Sequence, residues 1–202
     1  MTTERRRRGP VPRFSRGQLV EAALAVVEAD GFDALSLRSV ARHLGVGPMT
    51  LYTYVDSSDE LAALVVERLV EETVHSVQWP RSWRGVLRLF AKELDALILA
   101  HPAMVEAYER GMVRSGRAGQ IANEVLDRLM ADGMSAPQAR RAYLAVHSMV
   151  LGYALIRTGH EHEHLVATAP EAGSARPRRV SETLTNIPLA QIVEKLLDGF
   201  AP

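Results

Sequence analysis

Residues 36–55 read Ser-Leu-Arg-Ser-Val-Ala-Arg-His-Leu-Gly-Val-Gly-Pro-Met-Thr-Leu-Tyr-Thr-Tyr-Val, and they predict two short helices around a glycine turn. The first helix is expected over about 37–44, because the apolar residues there follow the i, i+3, i+4, i+7 spacing of one helical face. Gly45 comes next, where a residue without Cβ most easily adopts the left-handed conformation that ends a helix. Pro48 suits the first turn of the second helix, since its missing N–H would have no helical partner there. Leu51 and Val55 are then expected to anchor the second helix.

The outward residues of this second helix carry no charge. They are Pro48, Met49, Thr50, Tyr52, Thr53 and Tyr54. Such a face suits the major groove of DNA, where hydroxyls meet phosphates and base edges and methyl groups meet thymine. The pattern therefore indicates a helix-turn-helix that reads DNA. The alternative, a helix-turn-helix used only for packing, is disfavoured by the exposed hydroxyl groups.

The stretch Leu-Gly-Val-x-x-x-Thr-Leu-Tyr-x-Tyr-Val, from Leu44 to Val55, resembles the tetracycline-repressor (TetR) family of bacterial transcription regulators. The resemblance starts at Phe14 and extends more loosely over the rest of the chain, through Trp83, the His101-Pro102 pair and the run over 142–152. It implies an all-α fold, in which a three-helix head with the helix-turn-helix precedes a helical body that binds a ligand and dimerises. The implied function is a ligand-responsive repressor that binds a palindromic DNA operator as a homodimer.

The resemblance also implies which residues touch DNA. The family's contact positions are held here by Arg38, Gly47, Pro48, Met49, Thr50, Tyr52, Thr53 and Tyr54. Arg38 would pair bidentately with a guanine, whereas Thr50 and Tyr52 would hold phosphates. Many family members carry a lysine at the start of the fourth helix, and this chain departs from that pattern with Ser58 and Asp59. Phosphate binding there would rest on the N–H groups of the helix terminus.

We expect three regions along the chain: a disordered basic arm over 1–13, the DNA-binding head over 14–60, and a regulatory and dimerisation domain over 61–202. The first sixteen residues hold six arginines against a single glutamate, although the whole chain has no net charge. This asymmetry favours an arm that lies along phosphates or enters the minor groove. The alternative is a tail that serves solubility only.

Bulk properties exclude several classes of protein. The chain has no cysteine, so neither disulfides nor thiolate chemistry are expected. No apolar stretch follows the N-terminal charges as in a signal peptide, and no run approaches the roughly 20 apolar residues of a membrane span, so we expect a soluble cytoplasmic protein. No nucleophile–base pair, acid pair or phosphate-binding loop is present, and we expect neither an enzyme nor a cofactor.

Helical periodicity continues to the end of the chain. It predicts helices over 15–29, 58–77, 82–100, 103–111, 116–131, 136–158 and 188–200, with the longest loop over 165–187. No alternating β-branched run indicates a strand.

The effector expected from the resemblance is a small apolar molecule. Positions that match the drug- and magnesium-binding polar residues of the family's founding member hold Val74, Phe90 and Ile156 here, so a magnesium–drug chelate would lack its ligands. The candidate pocket walls are Phe90, Leu94, Met104, Tyr108, Met130, His147 and Tyr153. For His147, a core or interface histidine is the competing interpretation.

Two apolar stripes predict a four-helix dimer interface around a two-fold axis, as the resemblance also implies. They comprise Tyr143, Val146, Val150 and Leu151 on one helix and Leu189, Ile192, Val193, Leu196, Leu197 and Phe200 on the last. The core of its own body is the other possible partner for the last stripe.

A histidine cluster leaves one further alternative open. His160, His162 and His164 alternate with glutamates and resemble zinc ligands, but such a cluster at a helix end is more typical of a solvated polar cap, and we predict no metal site.

The alternative to gene regulation is a helical small-molecule or metal-binding protein whose head does not read DNA.

Overall fold

A computed structural model of the chain describes residues 14–74, 77–113, 116–158 and 187–200. Its helices are α1 (Arg16–Asp30), a 3₁₀ turn (Phe32–Ala34), α2 (Leu37–Leu44), α3 (Pro48–Leu51), α4 (Ser58–Val74), α5 (Trp83–Ala100), α6 (Ala103–Glu109), α7 (Gly116–Ala131), α8 (Ala136–Thr158) and α9 (Leu189–Leu197). The described ranges contain no strand, and the predicted all-α fold is confirmed. The chain forms two compact units, an N-terminal unit (Met1–Val65) and a C-terminal unit (Val66–Pro202).

The N-terminal unit is built on α1, which begins with a reciprocal cap. The Ser15 hydroxyl accepts the N–H of Gln18 at 3.2 Å, and the Gln18 side chain accepts the N–H of Ser15 at 2.8 Å. The large side chains buried completely in this unit include Leu19, Leu51 and Leu61, which come from α1, α3 and α4. One apolar core therefore holds the helix-turn-helix against its neighbours.

The turn of the helix-turn-helix forms as predicted. Gly45 adopts φ 66° and ψ 32°, and the N–H of Val46 donates to the Ala41 carbonyl at 3.0 Å, which is the hydrogen bond of a Schellman cap. The second helix is shorter than predicted, because α3 ends at Leu51 and residues 52–54 form turns. The Thr53 hydroxyl donates to the Thr50 carbonyl at 2.7 Å, an example of a side chain that competes with helical hydrogen bonds.

Helix α4 begins with a variant of the capping box. The Ser57 hydroxyl accepts the N–H of Glu60 at 3.1 Å, but the Glu60 carboxylate accepts the N–H of Asp56 at 2.7 Å rather than that of Ser57. The helix is described to Val74, and residues 77–80 are not helical, so the prediction of a helix to residue 77 is wrong. Pro80 disfavours a helical conformation in the residue before it.

In the C-terminal unit, α5 packs against α7, α8 and α9, and α8 packs against α6, α7 and α9. Leu87, Ile98, Met104, Leu129 and Leu197 are among its completely buried side chains. The bounds of α7 and α8 are those predicted, whereas α9 is shorter at both ends than the predicted helix over 188–200. None of the described helices combines the length and the apolar character needed to cross a membrane.

Part of the predicted dimer interface lies in the core of a single chain. Val146 and Val150 of α8 and Val193 and Leu197 of α9 are all buried, because α9 packs against α5 and α8 of its own subunit. The competing interpretation, a partner in the core of its own body, therefore applies to Val193 and Leu197 of the last stripe, and the interface predicted at Val146 and Val150 is corrected in the same way. Five of the other predicted interface residues remain half-buried: Leu151, Leu189, Ile192, Leu196 and Phe200.

Candidate nucleic-acid interface and ligand cavity

Most of the predicted DNA-contact residues lie exposed on the N-terminal unit. Arg38, Gly47, Pro48, Met49, Tyr52 and Thr53 are exposed, and Thr50 is half-buried. Met49 is 77% exposed and Tyr52 51% exposed, which is unusual for large apolar groups on a surface that meets only water. Arg38 has no ion-pair partner among the described residues. The face thus offers a guanidinium, a phenol and a methionine side chain that the free protein leaves unused.

Tyr54 lies in different surroundings from those predicted. Its ring stacks on Phe14 with the ring centres 4.7 Å apart, and its hydroxyl donates to the Phe14 carbonyl at 2.6 Å. The side chain is half-buried, so it ties the turn after α3 to the residue that precedes α1. The outward orientation predicted for Tyr54 is therefore wrong, since its hydroxyl is already used within the N-terminal unit.

The start of α4 offers less for a phosphate than predicted. The N–H of Glu60, one of the terminal groups expected to bind phosphate, donates to the Ser57 hydroxyl. The Glu60 carboxylate also lies at this end, and the Arg16 guanidinium contacts it at 3.4 Å. A carboxylate beside a helix N-terminus satisfies the helix dipole that a phosphate would otherwise meet.

The C-terminal unit contains a cavity of about 240 Å³ with mostly apolar walls. It is lined by Phe90, Glu93, Leu94 and Leu97 of α5, by Ala118, Gly119, Ile121 and Ala122 of α7, by Tyr143 and His147 of α8, and by Val70, Trp79, Tyr108 and Val113. Small residues on α7 leave the space that larger side chains would fill. A concave apolar site with a few polar groups is the usual form of a small-molecule pocket.

The structure brings four of the seven predicted pocket residues to this cavity: Phe90, Leu94, Tyr108 and His147. The other three do not line it. Met104 is completely buried in the core, and Met130 lies on the exposed side of α7. The Tyr153 hydroxyl donates to the Ile187 carbonyl at 3.1 Å, and the Arg157 guanidinium lies over its ring. Helical spacing identified the aromatic residues but not the side of each helix that faces the cavity.

Three polar groups converge on the cavity without a hydrogen-bond partner among the described residues. They belong to Tyr108, Tyr143 and His147, whose rings lie against one another with centres 5.3 Å (Tyr108–His147) and 5.6 Å (Tyr143–His147) apart. Burial raises the pKa of both tyrosines and lowers the pKa of His147 below its usual value. All three are therefore uncharged at neutral pH. Tyr143 was predicted at the dimer interface, and its place on the cavity wall corrects that prediction.

Sequence reasoning missed Glu93, Trp79 and the small residues of α7. Glu93 lies one helical turn from Phe90, so its spacing put it on the same side of α5, but its charge argued for a solvated position. The Trp79 indole N–H donates to Glu124 at 3.1 Å and is held outside any helix. No periodicity marks a residue of this kind.

A carboxylate stabilises the start of α7, the helix that forms one wall of the cavity. Both oxygens of Glu67, on α4, accept the N–H of Arg117 at the first turn of α7, at 2.8 and 2.9 Å. Gly116 adopts φ 66° directly before it, and a Cβ at this position would lie 1.9 Å from the Glu67 carboxylate. The start of α7 therefore depends on a glycine and on a half-buried acceptor from α4.

Three predicted features lie outside the described residues: the basic arm over 1–13, the cluster of His160, His162 and His164, and the loop over 165–187 except for its last residue. Within the described ranges, no group of three histidine or carboxylate side chains is placed to hold a metal ion.

Comparison with known proteins gives a match to the model of the bacterial regulatory proteins of the tetR family over residues 19–65. Over 154 residues the chain is 30% identical to the HTH-type transcriptional repressor DrrR1 of Streptomyces coeruleorubidus. This alignment covers 76% of the chain and 57% of the repressor, so the chain spans little more than half the length of that relative.

Solved structures with the same fold cover nearly the whole chain. A possible TetR family transcriptional regulator from Streptomyces coelicolor A3(2) is 23% identical, with a TM-score of 0.72 and coverage of 92% of this chain and 98% of that one. The Streptomyces coelicolor TetR family protein ActR in complex with (S)-DNPA is 22% identical, with a TM-score of 0.67 and coverage of 94% and 99%. At this level of identity the likeness establishes the fold.

Proposed function

The chain belongs to the tetR family of bacterial regulatory proteins, and from this premise we propose that it is a ligand-responsive transcriptional repressor. The observation that carries the proposal is the exposed, uncharged face of α3, with Met49 and Tyr52 projecting from a capped helix-turn-helix. Arg38 on α2 adds an unpaired guanidinium. In this proposal α3 enters the major groove, Arg38 reads a base, and Thr50 and Tyr52 hold phosphates. The protein then acts in the cytoplasm, where the DNA is.

We propose that the cavity of the C-terminal unit receives the effector. Its apolar walls and three unpaired polar groups support a small molecule that is bound by shape and a few hydrogen bonds. The likeness to ActR, whose solved complex contains (S)-DNPA, is in keeping with this role. Helix α4 contributes its first half to the N-terminal unit and its second half to the C-terminal unit, which makes it the element through which occupancy would change DNA affinity. A preference of about 1–3 kcal/mol between two states suffices for such coupling.

We propose that the repressor binds its operator as a homodimer. Two recognition helices related by a two-fold axis reach successive major grooves when they are about 34–36 Å apart, which predicts a palindromic operator. The apolar residues left at the surface of α8 and α9 support this assembly. Leu144 of α8 is 61% exposed, and Leu189, Ile192 and Leu196 of α9 are only half-buried.

The test is selection of genomic DNA fragments by the purified full-length chain, with DNA from upstream of its own gene included. Binding of a selected fragment and of a shuffled fragment is then compared by fluorescence anisotropy at fixed salt. A repressor of this class prefers its site by a thousandfold or more over random DNA. Equal affinity for both fragments would favour the alternative, a helical binding protein whose head does not read DNA.

Two variants separate base reading from phosphate binding. Arg38→Ala should cost about 1–3 kcal/mol on the selected site and much less on shuffled DNA, because it removes a base contact. Tyr52→Phe should weaken binding to both DNAs alike, because it removes a phosphate hydrogen bond. An equal loss on the two DNAs for Arg38→Ala would contradict its role as a base reader.

We propose that the arginines over 5–8 add phosphate contacts. Removal of residues 1–9 should then flatten the plot of log affinity against log salt concentration by about 0.9 for each phosphate contact that is lost. Thermal unfolding of the shortened chain, followed by circular dichroism, serves as the control for folding. An unchanged slope would mean that these arginines do not touch DNA.

A further inference from the structure

We propose that the ligand of the cavity is an amphipathic cation, an aromatic body that carries a protonated amine, and that Glu93 binds its positive charge. The inference rests on the proposed function in one respect, since it takes the cavity as the effector site. It departs from the apolar effector that the sequence predicted, and it names the chemical class of the ligand.

The charge of the cavity wall is the first argument. Among the described residues that line the cavity, Glu93 alone is charged at neutral pH. It is half-buried on α5, and no described residue forms a hydrogen bond or an ion pair with its carboxylate. A cationic ligand would give this carboxylate the charged hydrogen-bond donor that no described residue provides.

The cavity contains no group that would compete for this carboxylate. Two arginines of α7 lie near the wall but do not line it. Arg117 pairs with Glu124 at 3.4 Å, and the Arg128 guanidinium lies over the Trp79 ring at 5.7 Å from its centre. His147 does line the cavity, but burial lowers its pKa, so the ring is neutral at pH 7. The only charge on the described wall of the cavity is therefore the negative charge of Glu93.

Aromatic rings form the second argument. Phe90 lies 5.0 Å from Tyr143 and 6.0 Å from His147 between ring centres, and Tyr108 meets His147 edge-on. Phe90 and Glu93 are three residues apart on α5, which places ring and carboxylate side by side on one helical face. Aromatic faces attract cations that have left water, and they also stack on an aromatic ligand. The same wall thus suits both the charge and the body of the proposed ligand.

Other ligand classes fit this wall less well. An anion would approach the Glu93 carboxylate with no lysine or arginine in the lining to offset the repulsion. A neutral apolar molecule would cover the carboxylate without pairing it, and would lose the affinity that a charged partner gains.

Three naphthalene probes of nearly equal size test the charge. They are 1-naphthylmethylamine, cationic at pH 7, 1-naphthylmethanol, neutral, and 1-naphthylacetate, anionic. Titration calorimetry with the full-length protein should show that the amine binds at least about tenfold more tightly than the alcohol, and the acetate most weakly. If the alcohol binds as tightly as the amine, or if no probe binds, the proposal is wrong.

Substitution of Glu93 then assigns the preference to its carboxylate. Glu93→Gln should abolish the advantage of the amine and leave the affinity for the alcohol within about twofold, since shape is kept and charge is lost. Glu93→Asp retains the charge and should retain part of the advantage. Glu109→Gln is the matched control, because Glu109 is an exposed residue of the same unit that does not line the cavity. A variant Glu93→Gln that keeps the full preference for the amine would overturn the assignment.

The test of the ligand class is independent of the test of the proposed function. DNA binding is measured independently, by anisotropy with the selected genomic fragment. A chain that prefers the amine but binds no DNA selectively would refute the repressor and leave the cation site standing. A chain that binds its operator but shows no preference for the amine would refute the cation site and leave the repressor standing.

Discussion

At the scale of single residues, two tyrosines two positions apart have opposite roles. The Tyr52 ring projects into solvent after α3, whereas the Tyr54 ring stacks on Phe14 and its hydroxyl is bound to the Phe14 carbonyl. The sequence pattern predicts both on the outward face of one helix that continues from Pro48 to Val55. Since α3 ends at Leu51, the following turn rotates Tyr54 toward α1.

Tyr54→Phe should lower the free energy of unfolding by about 0.5–1.5 kcal/mol, because it removes one hydrogen bond and keeps the ring contact. Tyr52→Phe is the control, and it should leave stability unchanged, since the Tyr52 hydroxyl bonds no described residue in the free protein. Urea unfolding followed by circular dichroism measures both. Equal stability of the two variants would mean that the Tyr54 hydrogen bond contributes nothing net.

At the scale of elements, the start of α7 depends on Gly116. The residue needs a positive φ, and the Glu67 carboxylate occupies the space in which a Cβ would stand. Both conditions exclude other residues, and the second involves the hydrogen bonds that cap the wall of the cavity.

Gly116→Ala should therefore destabilise the protein by roughly 2–4 kcal/mol, the combined cost of a left-handed alanine and of a displaced charged acceptor. Gly119→Ala is the matched control on the same helix, where an added Cβ meets nothing within 4 Å. It should be neutral or stabilise by up to about 1 kcal/mol, as expected for alanine within a helix. Thermal unfolding compares the two variants. Similar melting temperatures would contradict the role of Gly116 and Glu67 at the start of α7.

The helices also show how much of the structure could be predicted from the sequence. The bounds of α7 and α8 followed from helical periodicity, and the end of α2 followed from Gly45, because a glycine after the last apolar residue is a local signal. The early end of α3 depends on the Thr53 hydroxyl, and the place of Tyr54 depends on Phe14, forty residues away. The stripe of α9 was recognised as apolar, but periodicity does not distinguish a partner in the same chain from one in a second copy. Glu93 was not among the predicted pocket residues, because its spacing places it on the same side of α5 as Phe90 but an acidic side chain usually lies in solvent.

At the scale of the whole molecule, the apolar surface left on α8 bears on assembly. Leu144 is 61% exposed, more than any other leucine on this helix, and Leu151 lies two turns further on the same side. Burial of such residues against a second copy would stabilise a dimer, and the two-fold axis would count each of them twice.

If Leu144 lies in the interface of the proposed dimer, Leu144→Glu should weaken it by about 3 kcal/mol or more, which is about a hundredfold rise in the dissociation constant, because two leucines leave the interface. Leu99→Glu is the control, with the same substitution at a residue of α5 that is 55% exposed. Sedimentation velocity over a range of concentrations compares them. Dissociation caused by Leu99→Glu and not by Leu144→Glu would move the interface from α8 to the end of α5.

The hydrogen bond between Tyr54 and Phe14 has a consequence for the arginines that precede Phe14 in the chain. It fixes Phe14 directly beside the turn that follows α3. If α3 enters a major groove as proposed, the chain connection to Phe14 would keep these arginines close to the neighbouring phosphates, and their encounter with DNA would become intramolecular. Short tethers of this kind correspond to effective concentrations in the millimolar range. Contacts too weak to form between separate molecules would then be populated, and loss of the Tyr54 hydroxyl would lengthen the tether.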